Sequence, residues 1–270
     1  MAVTRLRSQA EAEEFRSAVR SGIPSLVYFQ AKLGGEINIS PTDRSPQFSF
    51  DSTMVEVISD GGGILRLGRY GIFEIQTMDF HGSYGAATKN LRDALRLHGD
   101  QFSSTVGEHP EWASQKVEGP NIANAFKRTF YQMMFKFQIG AHGHSAGCVL
   151  AIPAAVWDSW QRHLGRPRLI PYHDGTYRLA TPRDESALPD QPPAWIYVFD
   201  VDISTQVSPN NIQIKKVIGT TAAAFSYFAL EVAPEATLEE GGSVDRLLET
   251  IQIRLSEYLP EFRPARRARS

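Results

Sequence analysis

FSFDSTMVEVIS, DGGGILRLG and GIFEIQTMDF follow one another between residues 48 and 80, and these β-rich pieces constrain the fold more than any other part of the chain. Apolar and polar residues alternate within them and glycines punctuate them, so the spacing predicts three strands, over 48–59, 63–68 and 71–80, forming an antiparallel meander. Helical periodicity flanks the meander. Ala10, Phe15 and Val19 stand among charges over residues 9–21, and SGIPSLVYFQAKLG follows as a second apolar segment. Beyond the meander, Ala87, Leu91, Ala94 and Leu95 mark a helix that starts near Ser83 or Tyr84. Ile122, Phe126, Phe130, Met133 and Phe137 mark a second, with Pro120 suited to its first turn. CVLAIP reads as a buried strand, AVWDSWQRHLG as a helix, AWIYVFDVD and IQIKKVIGTT as strands, and VDRLLETIQIRLSEYL as a closing amphipathic helix. This order predicts an α/β fold with a central mixed β-sheet flanked by helices.

Composition removes several function classes. With 42% hydrophobic and 21% charged residues, the 270-residue chain can bury one sizeable core. It has no apolar run of transmembrane length, and its basic first residues pass into acidic ones instead of an apolar segment, so neither a membrane span nor a signal peptide is expected. A single cysteine, Cys148, rules out an internal disulfide and a cysteine-built metal site, which makes a reducing cytoplasm the default compartment. The formal net charge of -2 lacks the surplus of a typical nucleic-acid binder. A cluster of metal-binding carboxylates would nevertheless hide a local basic surface inside that total.

Side chains two apart on a strand point the same way, so Glu74 and Gln76 offer a carboxylate and an amide on one face. A neighbouring strand of the meander can add a second carboxylate, with Asp51, Glu56 and Asp60 all available. Paired carboxylates suit Mg²⁺, which takes one or two of them together with water and phosphate oxygens.

An acidic residue, a hairpin, a strand bearing Glu-x-Gln and then a helix form an order that resembles the PD-(D/E)xK nucleases. GIFEIQTMDFHGSYGAATKNLRDAL, EGPNIANAFKRTFYQMMFKF and VLAIPAAVWDSWQRHLG resemble the NotI-like type II restriction endonucleases in particular. The likeness covers roughly residues 36–165, about half of the chain. It implies one nuclease domain over 1–270, with that stretch as catalytic core and 166–270 as a decoration carrying recognition or dimerisation. It places the first acid at Asp51, the second at Glu74, Gln76 at the usual lysine position and Glu36 as an additional acid. Asp51, Glu74 and the Ile75 carbonyl would hold Mg²⁺, and a homodimer would cut double-stranded DNA at a specific GC-rich palindrome. Phe50 stands where the motif has proline, so Asp60 stays a rival for the first ligand, and Gln76 cannot supply the positive charge of a lysine.

Other readings compete. GHSAG, residues 143–147, fits the nucleophile elbow of a serine esterase with Ser145 as nucleophile, although its flanks do not read as strand before and helix after. His142 and His144 could pair on a metal, and a non-catalytic DNA-binding module would need no carboxylate cluster. For a DNA-bound state, Arg166, Arg168, Arg178 and Arg183 in the Pro/Gly-broken stretch 166–186 are candidates for reading guanine. Lys89, Arg92, Lys127 and Arg128 on the two helices are candidates for phosphate contacts.

Overall fold

In the computed structural model, residues 2–4, 6, 8–30, 36–76, 80–82, 84–114, 117–120, 122–185, 189–202 and 211–262 are described. The first helix, α1 (Gln9–Arg20), starts where the Ser8 hydroxyl accepts the Glu11 N–H, and it turns Phe15 and Val19 inward. Strand β1 (Ala2–Thr4) precedes it. The strands β2 (Ser25–Gln30), β3 (Ile37–Ile39), β4 (Phe48–Phe50), β5 (Ser52–Ser59), β6 (Leu65–Ile75) and β7 (Phe80–Gly82) follow. After them come α2 (Tyr84–His98), α3 (Phe102–Glu108), α4 (Glu111–Ser114), β8 (Val117–Pro120), α5 (Ile122–Gly140), β9 (Ser145–Pro153) and α6 (Ala154–His163). The remainder is β10 (Ile170–Pro171), β11 (Tyr177–Arg178), β12 (Ala194–Val201), β13 (Ile212–Thr220), α7 (Ala222–Tyr227), α8 (Ala233–Glu235) and α9 (Ser243–Ser256).

Among the described residues nine strands join in one sheet, in the order β1-β2-β5-β6-β9-β12-β13-β11-β10. The meander β2, β5 and β6 is antiparallel, whereas β6, β9 and β12 run parallel to one another. Parallel neighbours need a crossover, which α5 supplies between β6 and β9, and α6 between β9 and β12. The architecture is therefore α/β with a large central mixed sheet flanked by helices.

Three expectations change. The piece at 48–59 is two strands, β4 and β5, and β4 pairs with β3 outside the large sheet. The pieces at 63–68 and 71–80 run together in one strand, β6, which ends at Ile75, and the irregularity between them is a bulge in its neighbour between Val55 and Val57. Glu56 fills that irregularity, and its carboxylate accepts the Arg69 N–H at 3.4 Å. Gly68 leaves room for that side chain, since a Cβ there would meet Glu56 Oε2 at 2.6 Å. Pro120, expected in a first helical turn, instead pairs with Phe80 at the end of β8, and the helix begins at Ile122. Proline biases the residue before it toward extended backbone, which suits a strand end.

Residues paired across strands share a face, so Val27, Val55, Tyr70, Ile72, Cys148, Leu150, Ile196 and Ile218 lie on one side. Phe15 and Val19 of α1 cover its β2 end. Met133 and Phe137 of α5, Trp157 and Trp160 of α6 and Phe225 of α7 cover the rest. The other side holds a recess of about 380 Å³ lined by Leu26, Met54, Phe73, Val149 and Trp195 among others. No helix among the described residues is long and apolar enough to cross a membrane.

His163 closes α6 with its ring stacked on Phe126 at 4.7 Å. Partial burial, then the charges of Lys127 and Arg162, hold its imidazole below the ordinary value of 6.5. The fold thus favours the neutral ring, so this contribution to stability is complete above that ordinary value and declines as pH falls below it. Urea midpoints measured at pH 7.5 and pH 5.5 should differ less in His163→Phe than in the parent chain.

Candidate active site

Asp51 sits between β4 and β5, and Glu74 lies on β6 one residue from its end, beside the last turns of α5. The two ends are tied reciprocally. The Asp51 N–H donates to Glu74 Oε1 at 3.3 Å, and the Ile75 N–H donates to Asp51 Oδ2 at 2.9 Å. Both acids and the Ile75 backbone thus meet at the edge where β6 and its parallel neighbour β9 terminate, the usual location of sites in parallel sheets.

A residue the sequence reading did not single out completes the group. Lys136 of α5 places Nζ 2.6 Å from Glu74 Oε2. Glu74 is 6% exposed and Lys136 4%, so the pair is held inside the protein, with the ammonium also 5.6 Å from the Phe50 ring centre. Burial raises the Glu74 pKa above the usual carboxylate range, Lys136 opposes the rise, and the charge of Asp51 adds to it. The neighbouring Cys148 thiol is pushed up in turn, by burial first and then by Glu74. A signal for Lys136 did exist in the sequence. It lies between Phe135 and Phe137 and three residues after Met133, so it interrupts the buried stripe of an amphipathic helix, and a charge in that position is costly unless it is paired.

Two carboxylates and one ammonium leave a net negative charge, and Asp51 Oδ1 accepts no hydrogen bond among the described residues. Hard oxygen donors with surplus negative charge fit Mg²⁺. Gln76 continues from β6, and its N–H donates to the Ala151 carbonyl at 3.0 Å. Glu36 precedes Ile37, which pairs with Phe50 in the β3–β4 hairpin, so the next step of that register sets Glu36 opposite Asp51. Its side chain is exposed, and among the described residues no third His, Cys, Asp or Glu joins Asp51 and Glu74. Asp79 lies outside the described residues.

Asp60 does not belong to this group. Its carboxylate accepts the Gly62 and Ile64 N–H groups at 3.0 Å and pairs with Arg66 at 2.9 Å, organising the β5–β6 turn. The eight residues of β5 separate it from Asp51, which is about 26 Å at about 3.3 Å per residue. Ser145 is no nucleophile elbow. It follows a helix and opens β9, the reverse of strand, turn and helix, and its hydroxyl is used between the Tyr70 carbonyl and the Gly147 N–H. His142 and His144 stack at 5.5 Å, with no third ligand among the described residues.

The expected DNA-facing cations divide. Lys89 and Arg92 stand exposed on α2, Lys127 and Arg128 on α5, and Arg166, Arg168 and Arg183 in the stretch after α6. Lys89 pairs with Asp93 at 2.7 Å. Arg178 is a correction, because it is only 1% exposed and cannot present itself to a base. Part of 166–186 is an edge hairpin, β10 with β11, in which the Arg178 guanidinium lies 3.8 Å from the Tyr172 ring centre and 5.0 Å from that of Trp195. It bonds the carbonyls of Tyr177, Pro189 and Asp190 and reaches Asp174 at 3.5 Å. Planar and always charged, arginine can satisfy several carbonyls from one buried position.

The chain matches no protein-family model, and a search of curated proteins finds no match either.

Arg178→Ala should lower folding stability by about 3 kcal/mol, since it leaves those carbonyls and Asp174 without their donor. Urea denaturation in the absence of DNA measures this, and a change below about 0.5 kcal/mol would return Arg178 to the surface role.

Proposed function

We propose that the chain is a Mg²⁺-dependent endonuclease of the PD-(D/E)xK type, cutting double-stranded DNA at a specific site in the manner of a type II restriction enzyme. The observation that carries the reading is the reciprocal bonding of Asp51 and Glu74 at the end of β6. The order α1, β2, β5, β6, α5, β9, with its antiparallel meander and one parallel crossover, supports it as well.

Asp51, Glu74 and the Ile75 carbonyl would hold the ion, which when bound lowers the pKa of its water and neutralises charge on the scissile phosphate. Gln76 carries an amide that can accept from and donate to the attacking water, orienting it without adding charge. Attack on phosphorus breaks the bond to the 3′ oxygen and leaves a 5′-phosphate and a 3′-hydroxyl. Glu36, exposed ahead of the β3–β4 hairpin, would serve as the further acid. Lys89, Arg92, Lys127 and Arg128 would meet phosphates, while Arg166, Arg168 and Arg183 remain for base edges in a GC-rich palindrome. Two strands require two sites, so a two-fold pair of chains belongs to the proposal.

The test is incubation of the purified chain with several plasmids and Mg²⁺, followed by gel analysis. The parent chain and Asp60→Asn should give the same discrete fragments, and Asp51→Asn and Glu74→Gln should give none while still retarding DNA. Cutting by both of the latter variants, or no cutting by the parent at any Mg²⁺ concentration, overturns the reading. Ester hydrolysis without DNA cleavage would overturn it as well.

A further inference from the structure

Lys136 raises a question that the two acids do not answer: why a core helix spends a buried cation on the carboxylate of the site. Glu74 Oε1 is already satisfied by the Asp51 N–H, and Oε2 faces Nζ at 2.6 Å. A structural ion pair gains little over apolar packing, because desolvating both charges offsets their attraction. Met133 and Phe137, the neighbours of Lys136 on α5, show that apolar side chains fit this helix face. Gln76, meanwhile, leaves the site without a positive charge on the strand itself.

We propose that Lys136 supplies from helix α5 the positive charge that Gln76 cannot supply from β6. In the resting chain it holds Glu74 in place and occupies the negative potential that a divalent ion would otherwise fill. With the ion on the two acids, the same ammonium is released from Glu74 and turns its three N–H donors toward the phosphate oxygens. Lysine is suited to this double duty because its charge is compact and its stem long and flexible. The inference rests on the nuclease reading for its second half only, since competition between Nζ and the ion for Glu74 requires no DNA.

The two halves move two measurements in opposite directions. Calorimetric titration of the DNA-free full chain with MgCl₂ should show Lys136→Met binding the ion about tenfold more tightly than the parent, because its competitor is gone. Cleavage at saturating Mg²⁺ should fall about a hundredfold in the same variant, in line with the loss of one electrostatic contact to the reacting group. A lysine with a merely structural role would weaken both. Gln76→Lys/Lys136→Met returns a lysine to the strand and should recover at least a tenth of the parent cleavage. Circular dichroism reports whether Lys136→Met folds.

Unchanged or weaker Mg²⁺ binding by Lys136→Met overturns the inference, as does undiminished cleavage by that variant while Asp51→Asn is dead. If Lys136→Met does not fold, chemical labelling of the Lys136 amine in the parent chain decides: MgCl₂ should speed it, because the ammonium leaves Glu74, and an unchanged rate overturns the inference. If the parent chain cuts no DNA at all, the nuclease reading fails by itself and the Mg²⁺ titration alone decides the role of Lys136.

Discussion

The parallel alignment of β6 with β9 is the constraint from which the rest of the molecule follows. Tyr70 to Ile75 lie in register with Ser145 to Ala151, so the chain must leave the sheet after β6 and return at its other end. A helix of nineteen residues spans about 28 Å, enough to make that return in one element. Once α5 is laid across the sheet, Met133 and Phe137 seal the core over Cys148 and Leu150, and Lys136, on the same side, comes down on Glu74. Core and candidate site are thus products of one crossover, and the ion pair is where they touch.

The same economy appears at the far edge. β10 and β11 are only two residues each, too short to hold themselves by backbone pairing. Arg178 compensates by threading its guanidinium between Tyr172 and Trp195 and gathering the carbonyls of the 189–190 segment. A charged residue has become internal scaffolding for a weak edge.

Much of this was legible in the sequence, because periodicity reports burial on one side of an element. The alternation in STMVEVIS and GIFEI and the helical spacing of Phe126, Phe130, Met133 and Phe137 are direct images of the sheet and of α5. The bulge opposite Gly68 and the strand ending at Pro120 were not legible, since both depend on a partner strand that local pattern does not name. The site divides similarly. Two acids near a meander could be read from order alone, but choosing Asp51 over Asp60 needed the register that sends them to opposite ends of β5. Lys136 shows in the sequence as a charge within the buried stripe, but its partner is a residue 62 positions earlier in the chain that local pattern does not name. Arg178 misled for the opposite reason: arginine in a Pro/Gly-rich stretch reads as surface until its aromatic neighbours enclose it.

Cys148 carries a consequence of its own. The sulfur is fully enclosed beneath α5, beside the buried carboxylate that suppresses its ionisation, and the chain has no second cysteine. A thiol so placed is inert while the crossover helix stays down, since only the thiolate reacts and no reagent can reach it. Its reaction with a thiol reagent would therefore time the openings of the core that uncover it.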